Sequence, residues 1–149
     1  MLDNLKPYAH LHGIHLWHDQ GIPAGSYWDA KIKAEIARSQ IFVLVTTNAF
    51  LGSDYVLKHE LPAIIYQHKN ANALVVPVIY CESAWTGFFG SYIQCVPLNG
   101  EGILRPVREW IDPETAMARA TDAISTAIQD WFGLKPPPSP FAGSLAASP

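Results

Sequence analysis

Side chains able to do chemistry gather in two stretches of this sequence. The first runs Trp17-His18-Asp19-Gln20-Gly21-Ile22-Pro23-Ala24-Gly25-Ser26-Tyr27-Trp28, and its Gly and Pro residues suit a loop between a strand and a helix. The second, Ser53-Asp54-Tyr55-Val56-Leu57-Lys58-His59-Glu60-Leu61-Pro62, opens a long helical pattern. Four histidines, His10, His12, His15 and His18, are close enough in sequence to raise metal binding. On a strand, however, His15 and His18 face opposite sides, and His10 and His12 precede it on another element. No metal site is expected. Cys81 and Cys95 are too few for a disulfide framework or a four-Cys zinc site, and read as small buried hydrophobes. His68 falls on an apolar stripe and reads as a packed histidine. The sequence contains no GxxxxGK[ST], GxGxxG or GxSxG, and His59-Glu60 leads into Leu-Pro-Ala-Ile rather than HExxH. The commonest α/β enzyme readings therefore fall away.

These residues sit in a chain of 149 residues, 49% apolar and 15% charged, which is the composition of one folded domain. A net charge of −3 gives no footprint for a nucleic-acid surface. No apolar run approaches the ~20 residues of a membrane span. Met1 to His10 lacks the apolar core of a signal peptide, so a cytoplasmic location is the default. Lys135 to Pro149 is rich in Pro, Ser and Ala and reads as a linker or tail. The domain proper is residues 1–134.

Within it, helical and strand patterns alternate. Leu2 to His12 is a weak helix. Ile14 to Trp17 alternates like a short strand. Ser26 to Ser39 spaces Trp28, Ile32 and Ile36 as a helical stripe. Ile41 to Val45 is a strand buried on both faces. Asp54 to Lys69 carries Leu57, Leu61, Ile64 and Ile65 as a second stripe. Leu74 to Ile79 is another buried strand, in which Pro77 implies a bulge or an edge. Tyr92 to Val96 is a weaker one. Asp112 caps a last helix with Pro113 at its first position and Glu114 in its first turn. Ala120, Ile124, Ile128 and Trp131 form its apolar stripe, and Gly133 ends it. The pattern predicts a mostly parallel sheet with helices on both faces, binding ligands beyond the carboxyl ends of its strands. No internal repeat is present.

In order and spacing the two stretches resemble the bacterial type of Toll/interleukin-1 receptor (TIR) domain. The matching residues are Trp17, Asp19, Ile22, Gly25, Trp28, Ile32 and Ile36, then the strand at Ile41, then Phe50, Ser53, Tyr55 and Glu60-Leu61-Pro62. Val76-Pro77-Val78-Ile79, Trp85, Pro97-Leu98-Asn99-Gly100 and the helix beginning near Trp110 continue the match. The resemblance covers residues 7–132 and implies a flavodoxin-like α/β three-layer sandwich. The family's first strand has no counterpart here, so the resemblance implies an N-terminally truncated TIR fold.

Some members of that family cleave NAD at the nicotinamide–ribose bond, and others only assemble through TIR–TIR contacts. The catalytic Glu of the family maps to Glu60. Asp19, Ile22, Gly25, Trp28, Ser53 and Tyr55 would shape the substrate site. NAD enters as substrate, and no cofactor or metal is implied. Taken by itself, Trp28 heads an apolar stripe and reads as core. With Leu57 at the centre of its stripe, Glu60 lies at the edge of the buried face. The family often places an aromatic four residues before the Glu, whereas Tyr55 lies five before it and Val56 fills the other place. Implied partners are other TIR domains, by self-assembly, and a fused domain beyond the linker; nucleic acid and membrane are not expected. The leading reading is an NAD-cleaving effector of bacterial anti-phage or cell-death signalling. The alternative is a non-catalytic TIR–TIR interaction module. A phosphoacceptor receiver-like domain ranks lower, since neither its acidic cluster nor its Lys is visible.

Overall fold

The computed structural model describes residues 2–11, 13–18, 27–82, 84–89 and 93–133. The β-branched run after Gln40 forms strand β1 (Ile41–Thr46), and the Val-rich run after Ala73 forms β2 (Leu74–Ile79). The two pair in parallel with Ile41 opposite Leu74 and Thr46 opposite Ile79. Side chains alternate across a strand, so this register sorts them onto two faces. Phe42, Leu44, Val75 and Ile79 pack with Ile32 and Ile36 of helix α2 (Trp28–Arg38). A short helix α3 (Asn48–Gly52) follows β1, and Leu61 and Ile64 of helix α4 (Leu61–Ala71) complete that face. Val76 and Val78 pack on the other face with Leu5 of helix α1 (Leu2–Leu11). Ala116, Ala120, Ile124 and Ile128 of helix α5 (Pro113–Trp131) join them there. The result is a three-layer α/β arrangement with a parallel sheet, as the alternation of elements predicts.

Backbone bonding along β1 is one-sided. The Leu74 N–H donates to the Gln40 carbonyl at 2.9 Å, and the Tyr80 N–H to that of Thr46 at 3.1 Å. In a parallel ladder the bonding residues alternate. Phe42 and Leu44 therefore aim their backbone groups at β2, and Ile41, Val43 and Val45 aim theirs away. Among the described residues no backbone hydrogen bond reaches that outer edge.

Two sequence expectations change here and one is narrowed. Ile14 to Trp17 joins no sheet among the described residues. Ile14 and Leu16 pack on the α1–α5 side and Trp17 on the other, so its alternation survives without a strand partner among the described residues. Of the bulge or edge expected for Pro77 it is the edge that holds: Pro77 sits in regular register opposite Leu44, on β2 of a sheet that has two strands among the described residues. Its carbonyl accepts from Val96 at 3.0 Å, so its backbone faces away from β1 and the missing N–H costs that ladder nothing. The strand expected over Tyr92–Val96 is a single parallel bridge between Val78 and Val96; Tyr92 lies outside the described residues. The Pro-rich tail, Lys135–Pro149, lies outside them as well.

Helix ends follow local chemistry. Gly13, at φ +66°, closes α1: Ile14 N–H bonds the Ala9 carbonyl at 2.8 Å. Asp112 caps α5, its carboxylate accepting from the N–H groups of Glu114 and Thr115 at 3.1 and 3.2 Å. Trp131, expected on the apolar stripe, is half-buried instead, and Ala116 takes the fourth buried place. The Trp131 indole N–H donates to the Asn72 carbonyl at 2.7 Å, tying the end of α5 to the turn before β2. His68 is half-buried, with Nδ1 2.8 Å from the Ala73 carbonyl.

Ile124 is fully buried and Ile111 fully exposed, which sets up a controlled comparison. Ile124→Ala is expected to lower unfolding free energy by ~2–5 kcal/mol. Ile111→Ala should stay within about 0.5 kcal/mol of the parent. Urea unfolding of both variants measures the difference.

Candidate functional site

Helix runs from Asp54 through Ala71, but not in one register. Val56–Glu60 is a π-helical turn, in which the Leu61 N–H bonds the Val56 carbonyl five residues back. Pro62 gives the reason. It has no N–H to donate, and in a regular helix its ring collides with the carbonyl four residues back. A widened turn ahead of it relieves that collision. Ser53 starts the helix, its Oγ accepting from the Val56 N–H at 3.3 Å.

The wide turn moves the buried stripe. Val56, Leu61 and Ile64 are buried, while Leu57, expected at the stripe's centre, is half-buried. Glu60 remains half-buried at the stripe's edge. The turn also changes which side chains are neighbours. Five residues apart in an α-helix lie about 140° apart, on different faces. Here the backbone bond itself closes over five residues, and Tyr55 feels the charge of Glu60.

Around Tyr55 stands a cluster from two helices. Its ring lies 4.6 Å from that of Trp28, tilted by 59°, and 5.1 Å from the His59 imidazole. Its hydroxyl donates to Asp29 Oδ1 at 2.7 Å. The other Asp29 oxygen lies 3.1 Å from Lys33 Nζ, one helical turn on. The Tyr55 hydroxyl bond holds the Asp29 carboxyl below its usual range, with help from Lys33. Burial pushes the Tyr55 phenol up to about 12, helped by the bond to Asp29 and the negative charges of Asp29 and Glu60. Trp28 is 53% exposed, so it is not the core residue its stripe suggested. It leans on Tyr55 with much of its ring open to water. Because α4 runs back against the strands, Glu60 and Tyr55 stand near the carboxyl end of β1, where ligands of parallel sheets bind.

The sequence model of the TIR domain family matches residues 3–122. This chain belongs to the TIR domain family. It is 27% identical over 139 residues to an uncharacterised protein of Sinorhizobium fredii, y4lF, covering 91% of this chain and 42% of that protein. The chain thus spans less than half the length of that relative. No solved structure matches it. Among the described residues, no helix is long and apolar enough to cross a membrane.

In this TIR domain the structure brings together Tyr55 and Trp28, with Ser53 at the head of the same helix and Glu60 at the end of its π-helical turn. Asp19, Ile22 and Gly25 lie outside the described residues. The Ser53 hydroxyl oxygen is engaged with the Val56 amide, a helix-starting role. Asp29, Lys33 and His59 were missed by sequence reasoning. Asp29 and Lys33 carry the signature of an ordinary i, i+4 ion pair, and nothing in the sequence joins Asp29 to a tyrosine 26 residues on. A shallow depression lined by Leu98, Asn99, Arg119 and Asp122 contains none of these residues. Cys95 is buried, its thiol pushed up by burial to about 11, and Cys81 is half-buried; neither is disulfide-bonded.

The Tyr55 phenol gives a pH dependence with a definite sign. A group whose folded value lies above its ordinary 10 contributes fully below pH 10 and loses that contribution as pH rises toward 12. Unfolding free energy should therefore fall over this alkaline window. In Tyr55→Phe that part of the fall should be missing. Denaturant unfolding of both proteins across the window provides the comparison.

Proposed function

We propose that this TIR domain cleaves the nicotinamide–ribose bond of NAD, with Glu60 as the catalytic carboxylate. The observation that supports the reading best is the π-helical turn, which sets a half-buried Glu60 beside Tyr55 near the carboxyl end of the parallel sheet. Widened helical turns recur at functional sites. Trp28 and Tyr55 supply apolar ring faces beside it, suited to a flat heteroaromatic ring.

The chemistry needs one carboxylate. Most glycosidases use a second carboxyl to protonate the departing oxygen. Nicotinamide departs from a cationic pyridinium as a neutral molecule, so its leaving takes the bonding pair and needs no acid. Positive charge then develops on the ribose, at C1′ and the ring oxygen. An ionised Glu60 stabilises that charge and orients the ribose hydroxyls. Water attacks C1′ and releases a proton, giving ADP-ribose. Asp19, Ile22 and Gly25 would line the site from the preceding loop. Self-assembly of TIR domains would activate it, with a further domain beyond the Pro-rich segment relaying a bacterial immune or cell-death signal.

Incubation of the purified chain with NAD at high protein concentration tests this. Nicotinamide release is expected, and Glu60→Ala should cut it by ~10²-fold or more. A folded parent that releases none would sink the enzymatic reading and leave a TIR–TIR interaction module.

A further inference from the structure

We propose that Asp29 is a positioning residue of this site: held by Lys33, its carboxylate takes the Tyr55 hydroxyl and fixes the ring that forms the wall beside Glu60. The inference rests on the reading of Glu60 as the centre of an NAD site.

The geometry carries it. The Tyr55 to Asp29 bond is 2.7 Å long and spans two helices, joining the second residue of α2 to the turn that leads to Glu60. An exposed tyrosine ring is free to take other rotamers. This one is held at three points. Trp28 lies against one part of it at 4.6 Å and His59 against another at 5.1 Å. The hydroxyl anchors its far end. Asp29 is itself anchored, since Lys33 at 3.1 Å occupies its second oxygen. The charges facing the phenol are Asp29 and Glu60, and those near Asp29 include Lys33 and His59.

The fixed ring has a consequence for binding. A ring already in place loses little freedom when a substrate ring lies against it, so affinity is gained by preorganisation. Asp29 touches no substrate in this account. It acts through Tyr55, and its loss should appear in binding rather than in the chemical step.

The test uses the full chain carrying Glu60→Gln, so that NAD binds without turnover, and measures NAD dissociation constants by calorimetry. Adding Asp29→Ala should weaken NAD binding by about tenfold, and Tyr55→Phe by a similar factor. Asp29→Asn keeps an acceptor oxygen for the hydroxyl and should bind within about twofold of the parent. The double variant Asp29→Ala/Tyr55→Phe should be no weaker than either single change, because both remove one bond. With Glu60 restored, Asp29→Ala should raise KM and leave kcat within about twofold. In parallel, NMR titration of ring-labelled tyrosine, with Tyr55 assigned through Tyr55→Phe, should show its pKa falling below about 12 in Asp29→Ala, while the part due to burial stays.

Unchanged NAD affinity in Asp29→Ala overturns the proposal, as do additive losses in the double variant or a failure of Asp29→Asn to restore binding. If Asp29→Ala fails to fold, the Asn and Phe variants decide alone: unchanged affinity in Tyr55→Phe overturns it. A parent that binds NAD in an Asp29-dependent way but releases no nicotinamide rejects cleavage and retains the positioning role. A parent that does not bind NAD at all rejects both.

Discussion

The parallel register of β1 on β2 decides what every later element must cover. With Ile41 opposite Leu74, the even-numbered residues of β1 share a face with the odd-numbered residues of β2. A slip of one residue would turn Phe42 and Leu44 toward α1 and α5 and expose the opposite set to α2 and α4. No such slip is compatible with the small residues Ala116 and Ala120, which let α5 lie close on Val76 and Val78. Thr46 closes the register from within. Fully buried, it donates its hydroxyl to the Val78 carbonyl at 3.0 Å. The strand therefore ends on a satisfied polar group, and the chain turns into α3 through the cap that Thr47 provides to Phe50.

From that fixed strand end the geometry of the site follows. A short helix and a serine start bring the chain to Asp54, and Pro62 forces a wider turn before the regular helix resumes. The extra residue in this turn is what sets Tyr55 and Glu60 together. The second helix contributes from its first turn, where Trp28 and Asp29 reach across. Two elements far apart in sequence thus meet at one ring. The TIR family and its fold are secure on the match over residues 3–122, and the chemistry assigned to Glu60 rests on the arrangement around it.

Much of the scaffold was legible in the residues. The run Ile41 to Val45 could be little else than a strand buried on both faces, and Asp112-Pro113-Glu114 carries three helix-start signals in succession. The wide turn was not legible. Leu57, Leu61, Ile64 and Ile65 fit a regular helical period, and although Pro62 marks a break, it does not say that the break is a π turn that buries Val56 instead. Trp28 misled for a related reason. It has the spacing of a core residue, but it stands at the first position of its helix and is left half in water. The bond between Tyr55 and Asp29 depends on how two helices dock, which periodicity within either one does not encode.

The link between Trp131 and Asn72 ties the last turn of α5 to the amino end of the sheet. Asn72 precedes β2, at the amino end of the sheet, while Glu60 stands near the opposite end. Six residues of strand separate the two levels by roughly 20 Å. The last turn of α5 is thus joined to the floor of the sheet and to the α4–β2 turn through the indole bond. Along the rest of its length α5 packs on Val76 and Val78, so the helix and the strand move as one layer.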